Sequence, residues 1–323
     1  MRNLTIWAVS DGRAGIENQV LGLAEAVARL APATIEVKQI AYRGALGRLP
    51  QVLNIAPRAA LAAGADAIAA PWPDLWIAAG RATLALSARV RRWSGGRTFV
   101  VQLQDPRWPT RRFDLVIPPE HDGLSGPNVF PILGSANRVT PERLAEARAL
   151  FDEPVEALPA PRVAVLVGGK SRAFDLPPDH AEALADHIVQ AAGSAGASLM
   201  VSFSRRTPHA ARRLMAQRLH EAPSWIWGGE GPNPYFAFLA AADVVLVTED
   251  STNMALEAAA AGKPVLVLPM AGRGDPKFGR LHAALQARGA ARPFTGALEP
   301  WPVEALRETE RAAAAVLRRL DAR

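Results

Sequence analysis

Apolar runs and amphipathic runs alternate along this chain. LTIWAVS (4–10) reads as a strand, ENQVLGLAEAVARL (17–30) as a helix, and TIEVKQI (34–40) alternates with the two-residue period of a half-buried strand. A polar, proline-containing stretch covers 41–58. Beyond it, LWIAAG (75–80), TFVVQLQ (98–104) and DLVIPP (114–119) predict strands, with a helix over ATLALSARVRRW (82–93). This βαβ rhythm predicts a parallel sheet with helices on both faces. DEPVEALPAP (152–161), with three prolines and little periodicity, reads as a linker. The rhythm then restarts: strand RVAVLVGG (162–169), helix HAEALADHIVQAAG (180–193), strand SLMVSFS (198–204), helix PHAARRLMAQRL (208–219). SWIWGG, PYFAFLAAAD, DVVLVTED and VLVLP continue it, and PVEALRETERAAAAVLRRL (302–320) predicts a long amphipathic helix. The pattern is α/β, with two doubly wound domains: 1–151, then 162–301, closed by 302–323.

In such folds ligands sit at the carboxyl ends of the strands. Those ends read SDGRAG, AAGRAT, QLQDPR, VGGKSR, SFSRRT and VTEDST. VGGKSR follows a strand, and its paired Gly168 and Gly169 let backbone N–H groups approach a ligand closely. Lys170, Ser171 and Arg172 add positive charge and a hydroxyl. The motif resembles a phosphate cradle, although the chain holds no G-x-x-x-x-G-K-[ST]; the alternative is a tight strand-to-loop turn. In TEDSTNM, Asp250, Ser251, Thr252 and Asn253 stand between a strand and a helix start. Ser251 or Thr252 caps the helix, or the helix end holds a phosphate, with Glu257 accepting from ribose hydroxyls. Asp250 would repel such a ligand and suits capping of backbone N–H groups. Arg205 and Arg206 of SFSRRTP are either a phosphate clamp or ordinary surface charge.

At the first strand end, Gly12 and Gly15 have G-x-x-G spacing, not the dinucleotide fingerprint, which weakens a nicotinamide reading. Asp11, Arg13, Asn18 and Gln19 lie close together at a helix start, as a sugar or acceptor site requires; a glycine turn with an N-cap explains them equally. Gln104, Asp105 and Arg107 mark another strand end. Asp105 opens a turn before Pro106 or acts as a general base. His121, beside Asp122, is either an incidental neighbour pair or a further candidate for acceptor deprotonation.

Composition narrows the chemistry. The 323 residues are 49% hydrophobic and 21% charged, so the chain has ample core. It has no cysteine, which excludes disulfides, thiolate metal sites and cysteine nucleophiles. The six histidines show no metal-ligand spacing and no D-x-D occurs, so no metal or cofactor is expected. The net charge of +6 is carried mostly by arginine in scattered pairs, among them Arg91-Arg92 and Arg111-Arg112. It reads as a solvated surface or as attraction to anionic partners such as nucleotides, phospholipid headgroups or acidic proteins. No nucleic-acid module is recognisable. The opening residues run straight into a strand pattern, and no apolar stretch approaches the ~18 residues needed to span a bilayer. A cytoplasmic protein, at most peripheral at a membrane, is expected.

The stretches SDGRAGIENQVLGLAEAV, PDLWIAAGRAT, VVQLQDPR, FDLVIPPEHD, VLVGGKS, SRRTP, NPYFAFLAAADVVLVTEDSTNM and EAAAAGKPV resemble the mitochondrial fission, elongated-mitochondria-type family, and spread over nearly the whole chain. The family looks like the GT-B glycosyltransferases. That resemblance implies two facing Rossmann-like domains and a C-terminal helix crossing back onto the first. It implies a nucleotide diphosphate and ribose held on the second domain near Gly168, Gly169, Ser251, Thr252 and Glu257, and an acceptor-side first domain. Glu249-Asp250 departs from the transferases' Gly-rich turn. Plant members look like adaptors that recruit a dynamin-related protein to the mitochondrial surface. Two functions follow: a metal-independent, glycosyltransferase-like enzyme acting on a nucleotide-diphosphate sugar, or a non-catalytic adaptor with a protein or membrane partner.

Overall fold

The computed structural model describes residues 3–44 and 54–323. Of the polar stretch 41–58, residues 45–53 therefore lie outside the described residues. The chain divides into two compact units, Met1–Arg138 with Arg307–Arg323, and Val139–Leu306.

The first unit is built on a parallel sheet of β1 (Leu4–Ser10), β2 (Ala33–Gln39), β3 (Leu75–Ala79), β4 (Phe99–Leu103) and β5 (Leu115–Ile117), in the order β2-β1-β3-β4-β5. Helix α1 (Ala14–Leu30) joins β1 to β2, and α2 (Leu84–Trp93) joins β3 to β4. Strand β3 is buried throughout, as expected when helices cover both faces of a sheet. Alternation along the strands divides the core in two. Ile6, Ala8, Leu75 and Ile77 join Val20, Leu23 and Val27 of α1 on one side. Trp7, Val9, Trp76 and Ala78 join Leu86 and Val90 of α2 on the other. Strand order reverses between β1 and β3, so the loops leaving these strands flank the switch point of this sheet.

The second unit opens with α3 (Pro141–Leu150) and α4 (Asp152–Glu156). Its sheet comprises β6 (Arg162–Val167), β8 (Ser198–Phe203), β9 (Ser224–Ile226), β10 (Val244–Thr248), β11 (Val265–Leu268) and β13 (Ala291–Pro293), ordered β13-β11-β10-β6-β8-β9. All these neighbours pair in parallel. A small antiparallel pair, β7 (Phe174–Asp175) with β12 (Ala271–Gly272), lies beside it in sequence. Helices α5 (Pro178–Ala195), α6 (His209–Leu219), α7 (Tyr235–Ala241), α8 (Thr252–Ala260) and α9 (Pro276–Ala287) complete the unit. Here the order reverses between β6 and β10, which puts the ends of β6, β8 and β10 side by side.

The final helix, α10 (Glu308–Asp321), belongs to the first unit, where Ala312, Ala313 and Val316 join the α1 side of the core. It is anchored at its start: Glu308 accepts from Leu133 N at 2.7 Å, and Thr309 Oγ1 from Asn137 N at 3.0 Å. The helix is shorter than the expected 302–320. Residues ahead of it belong to the second unit, with Leu306 N donating to Ala259 O at 3.1 Å.

The division between units falls after Arg138 rather than at 152–161. Arg138 is held in the first unit by Glu25, with Nε at 3.1 Å. Helix α3, capped by Thr140 Oγ1 accepting from Arg143 N, packs on α7, and Arg143 lies 5.6 Å from the centre of the Phe236 ring. The proline-rich stretch is therefore not a free linker; Glu156 within it pairs with Arg162 at 3.0 Å. Helix α9 was not anticipated, although Asp275 as its cap and Pro276 at its first position are ordinary start signals. Among the described residues, no helix is long and apolar enough to cross a membrane.

Candidate functional site

The polar strand ends of the second unit form one connected network. Strand β10 ends at Thr248, and two residues later the chain turns into α8. Asp250 sits in that turn with its side chain fully buried. Its Oδ1 accepts from Thr248 Oγ1 at 2.7 Å, and its Oδ2 from Gly169 N at 2.9 Å and Arg206 Nη2 at 2.8 Å. Gly168 N donates to Thr248 Oγ1 at 2.7 Å. On the far side, Thr207 Oγ1 donates to Gly168 O and Lys170 N donates to Arg206 O at 3.1 Å. One carboxylate thus ties together the ends of β6, β8 and β10. A buried carboxylate needs such donors to stay charged without a large desolvation penalty.

This arrangement corrects the expected cradle. The amides of Gly168, Gly169, Lys170 and Ser171 all bond inside the chain, the last to Phe174 O at 2.9 Å. The glycines are required for packing instead. A Cβ on Gly168 would lie 2.1 Å from Asp250 Oδ1, and one on Gly169 would lie 2.2 Å from Arg206 O. Ser171 Oγ is occupied too, accepting from Ala173 N and Phe174 N at 3.2 and 3.1 Å. Lys170 pairs with Asp175 at 3.0 Å, and that contact holds the Asp175 carboxyl below its ordinary range. Arg172 and Arg205 are exposed, and Arg206 keeps 46% of its side chain accessible although Asp250 holds one end.

The start of α8 is different. Ser251 occupies the N-cap position but its side chain makes no capping bond. The first bond of the helix is Ala255 N to Ser251 O at 3.2 Å. No Ser251 side-chain cap and no acidic residue of the first turn offsets the positive end of its dipole. Thr252 and Asn253 are half-buried there.

Glu257 lies on the inward face of α8. Its Oε2 accepts from the Tyr235 hydroxyl at 2.5 Å. Burial pushes the Glu257 carboxyl up to about 7, the tyrosine bond acting in the opposite direction. Burial and the neighbouring Glu257 also hold the Tyr235 hydroxyl well above its ordinary value. The expected role for Glu257, accepting from ribose hydroxyls, meets a carboxylate already engaged from α7. Thr248, Thr207 and Tyr235 were not anticipated. A threonine two residues before a buried Asp at a strand end is a readable signal; no spacing in the sequence links 235 to 257.

In the first unit the candidates fall into separate turns. Asp11 binds its own loop, accepting from Arg13 Nε at 2.9 Å and pairing with Nη2 at 2.7 Å, and this bond raises the Arg13 guanidinium above its ordinary value. Gly12, at φ +74°, makes the turn into α1, which carries Gly15, Asn18 and Gln19. Gln104 Nε2 donates to Gln19 Oε1 at 2.9 Å, joining the end of β4 to α1. Asp105 accepts from Arg107 N at 2.8 Å, a local turn. Gln104 and Arg107 have φ of +69° and +51°, left-handed conformations that side chains seldom adopt. His121 lies on the short turn Glu120–Asp122 after β5.

Comparison with known proteins places this geometry in context. The family model described as Mitochondrial fission ELM1 matches residues 14–320. Mitochondrial fission protein ELM1 of Arabidopsis thaliana is 31% identical over 278 residues, 78% of this chain; the match spans only 65% of that relative's length. Among solved structures, a Listeria monocytogenes protein provisionally described as a UDP-N-acetylglucosamine 2-epimerase superposes with TM-score 0.58 at 14% identity, covering 99% of this chain and 88% of that one. The Neisseria meningitidis UDP-GlcNAc 2-epimerase bound to UDP-GlcNAc gives 0.50 at 13% identity, covering all of both chains. At these identities the likeness is one of fold: GT-B-like, with two Rossmann-like units, shared by sugar-nucleotide epimerases and glycosyltransferases.

Proposed function

This chain belongs to the mitochondrial fission ELM1 family, and on that premise we propose that its second unit grips the diphosphate of a nucleotide-diphosphate sugar, as part of a GT-B-like transferase or related enzyme. The observation that carries the reading is the start of α8, which has no side-chain cap and no acidic first turn, beside an arginine that is anchored yet half-exposed. Helix amides and a guanidinium are a ready-made phosphate site. Asp250 does not oppose it, because three donors within the chain already answer its charge. It serves to aim Arg206.

Chemistry of this class stabilises the charge that develops on the departing diphosphate, here through the positive end of α8 with Ser251, Thr252 and Arg206, and with Arg205 and Arg172 as outer positive charge. The first unit would hold the acceptor through residues at its own strand ends, Asp11 to Gln19 and Gln104 to Arg107. Asp11, Asp105 or His121 would take the acceptor's proton.

The test is a thermal-shift and turnover panel of UDP-, GDP-, CDP-, ADP- and TDP-sugars. A ligand at about 100 times its dissociation constant stabilises the fold by ~2.7 kcal/mol. One base should give that shift and release its nucleoside diphosphate, and Arg206→Ala should abolish both. A shift without turnover favours a binding protein that has lost the chemistry.

The second reading, a non-catalytic adaptor with a protein or membrane partner, draws on one observation. The amides of 168–171 and the Glu257 carboxyl, which a sugar-nucleotide site would use, are engaged within the chain. Silence across the whole panel would favour it.

A further inference from the structure

At the other end of the first unit's sheet, where α2 returns to β4 and the chain enters β5, lies a second basic site. Ala88, Arg91, Arg92, Gly95, Gly96, Arg111 and Arg112 line an open cleft of about 460 Å³. These residues precede the starts of β4 and β5, so the cleft belongs to the amino-terminal edge of the sheet. The carboxyl-edge candidates Asp11, Gln104 and His121 follow the ends of their strands. The cleft is therefore a different site from theirs, and independent of the α8 reading.

Its charge is largely unanswered. Arg91 Nε lies 3.5 Å from Asp114, whose carboxylate also has Arg323 at 3.8 Å. Arg92 and Arg111 have no ion pair or side-chain hydrogen bond among the described residues. Arg112 is braced over the Trp108 ring at 5.4 Å, a flat contact that orients a guanidinium without neutralising it. Nearby, burial and then the charges of Arg112 and Arg92 hold the Arg89 guanidinium below its ordinary value. The C-terminal carbonyls of α2 do not compensate, because they are already capped. Ser94 N bonds Val90 O at 2.9 Å, Gly96 N bonds Arg91 O at 2.8 Å, and Gly95 N bonds Arg92 O at 3.1 Å.

We propose that this four-arginine cleft binds a ligand carrying clustered phosphoryl groups. The class follows from the arrangement. Exposed ion pairs are individually weak and screened by salt, so a single carboxylate gains little there. A compact anion with several doubly charged groups engages several guanidinium forks at once, and each fork matches two phosphoryl oxygens. Such groups occur on free soluble polyphosphates and on polyphosphorylated lipid headgroups.

The experiment uses the full chain at physiological salt, with inositol hexakisphosphate and inorganic triphosphate titrated by calorimetry. Phosphatidylcholine vesicles with and without phosphatidylinositol bisphosphate are tested by flotation. The expected result is saturable one-to-one binding of inositol hexakisphosphate, weakened at least tenfold in Arg92→Gln/Arg111→Gln. The charge-matched control Arg29→Gln/Arg213→Gln, altered at exposed positions outside the cleft, should bind as the parent does. Flotation that depends on the phosphoinositide and is competed by inositol hexakisphosphate assigns the lipid source; soluble binding without flotation assigns a free polyphosphate. The proposal is overturned if neither probe nor vesicle binds saturably. Equal weakening in both double variants, or undiminished binding in Arg92→Gln/Arg111→Gln, overturns it as well. Circular dichroism and melting of both variants establish that they are folded.

Discussion

The two Rossmann-like units end their strands in contrasting ways. In the second, a single buried carboxylate, Asp250, binds donors from three chain segments and ties together the ends of three neighbouring strands. In the first, Asp11 and Asp105 each satisfy donors two residues away on their own loops, and the Gln104–Gln19 bond joins the end of β4 to α1. Long-range polar bonds in a buried setting hold side chains in one geometry, whereas local turns leave them free to rearrange. The second unit fixes its strand ends through bonds between distant segments. In the first, Asp11 and Asp105 are held within their own turns.

That contrast can be broken by substitution. Asp250→Ala removes the acceptor of Gly169 N, Thr248 Oγ1 and Arg206 together. It should cost about 3 kcal/mol in chemical denaturation, the low end for a broken buried ion pair because Arg206 is half-exposed. Asp11→Ala, in the first unit, should leave the same measurement unchanged within about 0.5 kcal/mol, since Arg13 is well exposed. Comparable losses at the two positions would erase the distinction.

Glu257 sharpens the comparison through pH. Its folded carboxyl titrates near 7 against 4.5 when unfolded. Between those values the folded state holds a proton that the unfolded state has released. Stability is therefore greatest below the unfolded value and falls as pH rises through about 7. The loss is about 3 kcal/mol at ~1.4 kcal/mol per unit. Melting temperatures of the parent should fall from pH 5 to 7.5 relative to Glu257→Gln, which keeps a neutral side chain. Parallel profiles would contradict the buried, neutral carboxyl.

Smaller effects follow. Gly168→Ala, whose new Cβ would sit 2.1 Å from Asp250 Oδ1, should cost about 2 kcal/mol by forcing that carboxylate aside. Gln104→Ala should cost about 1 kcal/mol, the worth of one partly buried hydrogen bond. It serves as the first unit's counterpart to the Asp250 network.

Much of the fold is legible because it rests on periodicity. The apolar runs at 4–10, 75–80, 162–169 and 243–250 become central strands of two sheets, and burial on both faces explains why they read as continuous rather than alternating. The unit boundary was less legible. Proline at 154, 159 and 161 suggests a linker locally, while the packing of α3 on α7 is a tertiary contact with no local signature. The site was half legible. Strand-end position correctly brings residues of 168–171, 204–207 and 248–253 into one place. It could not tell that Thr248 and Asp250 would consume the glycine amides, or that a tyrosine on α7 would reach Glu257, because both depend on which side chains fill space between elements. The basic cleft was visible only as scattered arginine pairs until the fold placed 91–92 and 111–112 on the same rim.

The central claim is that the open end of α8 grips pyrophosphate. The most direct measurement is a calorimetric titration of each nucleoside diphosphate against its parent nucleoside, for the parent chain and for Arg206→Ala. The account predicts saturable binding of at least one diphosphate, no measurable binding of the matching nucleoside, and loss of the diphosphate heat in the variant. Equal affinity for nucleoside and diphosphate, or no heat from any diphosphate, would contradict it.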